Sequence, residues 1–134
     1  MKTRVLIVDD SKIFRGGLRA ELESQSDREV CGEAADGIEG IDQTRRLTPD
    51  LVIIDLAMPR LGGIEAASQI LKEFPCISIL LLTLYVSDEI IERARSVGIR
   101  AVISKIAMHH LEAAIDALLR GEHFVIPLVD RQTF

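Results

Sequence analysis

Four short apolar runs in this chain each stop at a residue able to do chemistry. Residues 5–8 lead into Asp9-Asp10, residues 51–54 into Asp55, and residues 77–82 into Thr83. Residues 101–103 lead, by way of Ser104, into Lys105. Carboxylates gathered at one point repel each other, and a divalent cation relieves the conflict. With oxygen donors and no His or Cys beside them, the fitting ion is a hard one, Mg2+ or Mn2+. A carboxylate next to such an ion can attack a phosphoryl group and form an acyl phosphate. That transfer needs in-line positioning and neutralised equatorial oxygens more than covalent help. Asp55 stands alone at its strand end and is the candidate nucleophile. Asp10 is a candidate direct metal ligand, and Asp9 a ligand through water or a partner for Lys105. The carbonyl of Ala57, two residues past Asp55, completes the candidate metal shell. Lys105 offers a fixed positive charge and Thr83 a hydroxyl.

Taken singly, each residue has a plainer reading. An Asp after a strand commonly caps a helix, a Thr there is a loop residue, and a lone Lys is a solvated surface group. The set points to chemistry only if the fold brings its members together.

The elements that must do so are legible from the pattern. Continuous apolar runs such as residues 5–8 and 51–54 suit strands buried on both faces of a parallel sheet. Between them run helical stretches. Ser11 is a candidate N-cap, with Phe14, Leu18 and Leu22 on one stripe and Gly16-Gly17 interrupting it. A weaker strand spans residues 30–34, Asp36-Gly37 reads as a turn, and residues 38–47 form a helix ended by Pro49. A loop over 56–62 precedes a helix marked by Ile64, Ala67, Ile70, Leu71 and Phe74. Ser87 or Asp88 caps a helix through Val97, closed by Gly98. Leu111, Ala114, Ile115, Leu118 and Leu119 mark the last helix, which Gly121 ends. Residues 124–126 read as a short extended tail, and residues 127–134 as the start of a linker.

Five β-α units in succession predict a doubly wound α/β fold, flavodoxin-like, with a parallel five-stranded sheet in the order 2-1-3-4-5. In that order the first and third strands flank the switch point, so Asp9, Asp10 and Asp55 should converge there at the carboxyl ends of the strands.

Composition narrows the class. The 134 residues are 48% hydrophobic but only 4% aromatic, so the core must be aliphatic. A net charge of −5 argues against this segment gripping nucleic acid by itself, since that needs a basic face. Cys31 and Cys76 belong to no C-x-x-C or Cys/His cluster and read as two free buried thiols in a reducing compartment. The longest apolar stretch, residues 77–86, is about half of what a bilayer span needs. With no apolar signal segment at the start, the chain is expected to be cytoplasmic and away from membranes.

With these residues in hand, the sequence resembles a response regulator receiver domain of two-component systems. The matching segments are V-L-I-V-D-D (residues 5–10), E-A-A-D-G (33–37), P-D-L-V-I-I-D-L-A-M-P (49–59), L-L-T-L-Y (81–85) and S-K (104–105). Finer features are similar to the NarL/FixJ branch, whose receivers precede a LuxR-type helix-turn-helix domain. These are D-D-S-K-I-F-R (9–15), Tyr85 two residues past Thr83, and L-L-R-G-E-H-F-V-I-P (118–127). The resemblance implies a receiver over residues 1–121 and a tail or linker over 122–134. It also implies a sensor histidine kinase as phosphoryl donor, a homodimer on phosphorylation, and transcriptional control through a DNA-binding domain outside this chain. It implies a signalling phosphoacceptor that promotes its own phosphorylation and dephosphorylation, not a turnover enzyme. Thr83 and Lys105 would take phosphoryl oxygens, and Ala57, Met58 and Tyr85 would border the site.

Three positions depart from the family's pattern. Val102 stands where an aromatic switch residue is usual, Ile106 where a Pro often follows the Lys, and Gly62-Gly63 where an Asp-Gly is common. Without the aromatic, switching must rest on Thr83 and the adjoining loops. Phe14 reads as core, whereas Ile13, off the stripe, is the better partner contact; His109 and His110 read as surface residues. A stand-alone receiver serving as phosphate shuttle or adaptor is the neighbouring alternative. From another class, an aspartyl-phosphate hydrolase would show Asp-x-Asp after its first strand, and a flavin carrier a Ser/Thr/Gly-rich phosphate loop; here the acids are adjacent and would repel phosphate.

Overall fold

A computed structural model describes residues 2–125. Its elements are β1 (Thr3–Val8), α1 (Lys12–Glu23), β2 (Arg28–Ala34), α2 (Gly37–Leu47), β3 (Leu51–Asp55), α3 (Gly63–Glu73), β4 (Ser78–Thr83), α4 (Asp88–Val97), β5 (Ala101–Ser104), α5 (Leu111–Leu119) and β6 (Phe124–Val125). A 3-10 turn, Met108–His110, leads into α5.

All strand pairs are parallel, and the order is β2-β1-β3-β4-β5-β6. The predicted 2-1-3-4-5 core is present, but the sheet has six strands, not five. Phe124 and Val125 return along the free edge of β5 in register with Ala101 and Val102, and the Phe124 N–H donates to the Arg100 carbonyl at 2.8 Å. An edge strand with unpaired backbone groups recruits whatever segment passes it. Two residues carry too little pattern to announce themselves as a strand. Residues 126–134, which include the rest of the predicted tail and the predicted linker, lie outside the described residues.

Alternation along the strands sorts the core into two layers. Val5, Ile7, Leu51, Ile53, Leu80, Leu82 and Ile103 pack with Leu18 and Leu22 of α1 and with the apolar stripe of α5. Leu6, Val8, Val52, Ile54, Leu81 and Val102 pack against α2, α3 and α4. Val102 is thus a fully buried aliphatic in the second layer, where a ring is usual in the family.

Local signals behave as their chemistry dictates. Ser11 caps α1 by accepting from the Phe14 N–H, and Ser87, not Asp88, caps α4 by accepting from the Ile90 N–H. Asp36 is more than a turn residue: it caps α2, accepting from the Glu39 N–H. Gly98 closes α4 at a φ of 102°, a left-handed geometry that glycine adopts without cost. The predicted burial of both thiols is corrected. Cys31 is half-buried on the edge strand β2, and Cys76 is exposed in the loop before β4, where Pro75 keeps the chain off the sheet.

Candidate functional site

The register of the sheet brings the acids together. Val8 of β1 pairs with Ile54 of β3, so the next residues, Asp9 and Asp55, emerge side by side. Thr83 pairs with Ser104, which sets Lys105 beside them, and the Lys105 N–H is held by the Thr83 carbonyl at 2.8 Å. One carboxylate oxygen from each of Asp9, Asp10 and Asp55 lies within 4.8 Å of the others. Asp10, Asp55, Leu56, Ala57, Thr83, Leu84, Tyr85, Ile90 and Lys105 line a pocket over the strand ends. Asp9 lies beneath it, 1% exposed.

Lys105 ties the acids together. Its Nζ donates to Asp9 Oδ2 at 2.7 Å and faces Asp55 Oδ1 at 3.1 Å. Asp9 Oδ1 accepts the Ser11 N–H at 2.8 Å, so both oxygens of Asp9 are engaged within the protein. Lys105 also rests over the ring of Phe14, 4.3 Å from its centroid, a favourable cation–π distance. Phe14 therefore packs against the core, as read from its stripe, and also supports the lysine of the site.

One lysine charge is shared among too many acids. Burial alone would lower the Lys105 pKa, but its bonds to Asp9 and Asp55 outweigh this and hold it above the usual lysine value. Asp55 moves the same way. Burial pushes its carboxyl above the usual range, the charges of Asp9 and Asp10 add to that, and Lys105 only partly offsets them. The lysine is well matched and the nucleophile candidate is not. That deficit, with an all-oxygen donor set, fits a hard divalent cation.

The other expected residues fall in different places. Thr83 is buried and lines the pocket, but its Oγ1 donates to the Tyr85 carbonyl at 3.1 Å. Ser104 Oγ donates to the Leu84 carbonyl at 3.1 Å, so two hydroxyls hold the β4–α4 loop. Tyr85 is 79% exposed at the pocket rim. Met58 is half-buried against the α2–α3–α4 layer and is not among the pocket-lining residues. The loop carrying Ala57 is pinned from outside. Arg60 donates to both oxygens of Asp36, at 2.9 and 3.1 Å, and the Gly37 N–H donates to the Leu61 carbonyl. Ile13 is 90% exposed, and Ile106 is exposed beside Lys105.

The site also includes a pair that reading the residues alone did not single out. Arg15 and Glu33 form an ion pair at 2.8 Å behind the Asp9-Asp10 turn. Both sat inside quoted motifs, but no spacing rule connects a residue on α1 to one on β2.

Residues 5–116 match the family model described as the response regulator receiver domain. The chain belongs to that family. As a receiver it is similar to the response regulator protein VraR of Staphylococcus aureus, 38% identical over 130 residues, covering 96% of this chain and 62% of that protein. The chain thus spans less than two thirds of that relative. Among solved structures it is similar to a LuxR-family two-component response regulator from Aurantimonas sp. SI85-9A1. There the TM-score is 0.91 at 32% identity, over 98% of this chain and 94% of that one. It is also similar to the isolated receiver of RcsB from Salmonella enterica serovar Typhimurium, solved with the phosphomimetic BeF3−. That match has a TM-score of 0.87 at 30% identity, over 98% of both chains. Among the receiver's described residues, no helix is long and apolar enough to cross a membrane.

Proposed function

We propose that Asp55 is the phosphoacceptor of this receiver, taking a phosphoryl group from a sensor histidine kinase in a Mg2+-dependent reaction. The observation that supports this best is the division of labour among the acids. Asp9 is buried with both oxygens engaged, Asp10 is exposed at the rim, and Asp55 lines the pocket with one oxygen facing Lys105. One Asp55 oxygen forms the bond to phosphorus as the P–N bond to the kinase imidazole breaks. Lys105 stays charged and takes one phosphoryl oxygen. Thr83 exchanges the Tyr85 carbonyl for another. Asp10, Asp55 and the Ala57 carbonyl would hold the cation, with Asp9 behind them; when bound, the ion neutralises charge on the phosphoryl oxygens.

The matched part makes up 62% of VraR, which therefore carries a further segment. One structure similar to this chain is an RcsB–DNA complex, and another holds two RcsB dimers bound to two parallel DNAs. By analogy, phosphorylation of this receiver promotes dimerisation and controls a C-terminal helix-turn-helix domain outside this chain, in the cytoplasm. The net charge of −5 suits a module that leaves DNA contact to a partner domain.

The test is incubation with acetyl phosphate and Mg2+, followed by intact mass. Wild type should gain one phosphoryl group and lose it in hydroxylamine, while Asp55→Asn should gain none. Equal labelling of Asp55→Asn would refute the assignment.

A further inference from the structure

The Asp9-Asp10 turn is held from three directions. The Asp9 N–H donates to the Ala34 carbonyl at 3.0 Å, Asp9 Oδ1 takes the Ser11 N–H, and the Asp9 carbonyl takes Arg15 Nη1 at 2.7 Å. The third contact is the unusual one, because a side chain from α1 reaches back to the backbone of the turn. Arg15 is itself anchored. Its Nε donates to Glu33 Oε1 at 2.8 Å, and Glu33 Oε2 takes Arg19 Nε at 2.8 Å. The Arg15 side chain is only 15% exposed. Glu33 and Ala34 are neighbours on β2, so one stretch of edge strand holds both ends of the clamp.

We propose that Arg15 is a positioning residue for the cation site. By fixing the Asp9 carbonyl it fixes the Asp9–Asp10 peptide plane, and with it the direction in which the Asp10 carboxylate points toward Asp55. This rests on the reading of the acids as a divalent-cation site. Groups behind a ligand that orient it commonly carry a tenfold to hundredfold share of metal affinity.

Charge and position make opposite demands here, which lets an experiment separate them. A guanidinium near the acids repels a second cation, so if its charge were all that mattered, removing it would tighten Mg2+ binding. If it holds the turn, removing it loosens binding. The experiment is calorimetric titration of the whole chain with Mg2+, for wild type, Arg15→Met, Arg15→Lys and Glu33→Gln. Amide hydrogen exchange of Asp10 and Ser11 is followed in parallel without metal, and circular dichroism checks the fold.

Arg15→Met should bind Mg2+ about tenfold more weakly, equivalent to about 1.4 kcal/mol, with faster exchange at Asp10 and Ser11. Arg15→Lys keeps the charge but lacks the fork that serves Asp9 and Glu33 at once, so it should resemble Arg15→Met. Glu33→Gln should show a smaller loss and remains informative if Arg15→Met misfolds. Unchanged or tighter Mg2+ binding in the Arg15 variants would overturn the proposal. If wild type itself bound no Mg2+, the cation-site reading would fall, and the metal-free exchange would still decide whether Arg15 holds the turn.

Discussion

Replacing Lys105 by Met should destabilise the metal-free receiver and at the same time tighten its hold on Mg2+. The lysine Nζ lies 2.7 Å from an oxygen of Asp9 and 3.1 Å from one of Asp55, and Asp9 is almost wholly buried. Taking one partner from a buried ion pair costs about 3–5 kcal/mol, because the remaining charge is left uncompensated. The lower end applies here. Lys105 is partly exposed, Asp9 keeps its bond from the Ser11 N–H, and the already raised Asp55 can take up a proton. A loss of about 3 kcal/mol lowers Tm by roughly 12 °C in a domain of this size. Methionine keeps an apolar stem of similar length but loses the ammonium over the Phe14 ring, which adds a little to the cost. The cation then occupies oxygens that the lysine no longer shares, and Mg2+ affinity should rise about tenfold. Melts followed by circular dichroism in EDTA and in millimolar MgCl2 read both effects, since ligand stabilisation grows with affinity. A Lys105→Met protein that melts within a few degrees of wild type in EDTA would refute the reasoning. So would one that binds Mg2+ more weakly.

Thr83→Ala removes the hydroxyl bond to the Tyr85 carbonyl, a loss of about 1 kcal/mol, and should speed amide exchange across residues 84–87, while Thr83→Ser should not. Gly63→Ala would set a Cβ 2.1 Å from the Asp55 carbonyl oxygen, against backbone that cannot swing aside. It should cost about 3 kcal/mol and weaken phosphoryl uptake by displacing Asp55. Acid titration in EDTA should show two opposing signs. Burial disfavours ionised Glu33, but Arg15 and Arg19 outweigh it, and Arg60 holds Asp36 low. Both acids therefore titrate below their ordinary 4.5 and 3.8 when folded. Their stabilisation is complete above those values and is lost as pH falls through the folded ones. Glu33→Gln and Asp36→Asn should each flatten that loss in urea melts. Asp55 is shifted upward, so its protonation favours the fold, and Asp55→Asn should steepen the loss.

Much of the site could be read from the chain because parallel sheets convert sequence into position so directly. A short uninterrupted apolar run bounded by turn residues suits a strand covered on both faces, and adjacent runs in register deliver their terminal residues to one edge. Asp9, Asp55 and Lys105 needed nothing more, and Asp9 emerged as the partner for Lys105 that the sequence reading offered as one option. The residues that escaped reading act through contacts no periodicity encodes. Arg15 reaches back to a carbonyl from the next element, and Glu33 meets it from an edge strand. Phe14 was placed correctly by its stripe, yet a stripe cannot say that Lys105 lies over its ring. Residues 124–126 were legible as extended chain, but the pairing of Phe124 and Val125 with β5 was not, because two residues have no period. Cys76 was misjudged because residue type says little about a loop residue beside a proline.

The charge balance of the pocket explains why the β4–α4 loop is where a signal would leave it. Three carboxylates against one lysine leave two negative charges, which a divalent cation cancels. On the proposed reading, phosphorylation replaces the single charge of Asp55 by about two and adds three acceptor oxygens. Lys105 and the cation are already present, so the new charge must be met by donors that were facing elsewhere. Thr83 lines the same pocket and is such a donor, and its hydroxyl is now spent on the Tyr85 carbonyl. Recruiting it releases that carbonyl in a loop whose other tie is the Ser104 hydroxyl on Leu84, leaving two exposed apolar side chains, Leu84 and Tyr85, free to rearrange. No ring at position 102 is required for this. Val102 instead pairs in register with Val125 of β6, the last described step before the rest of the chain.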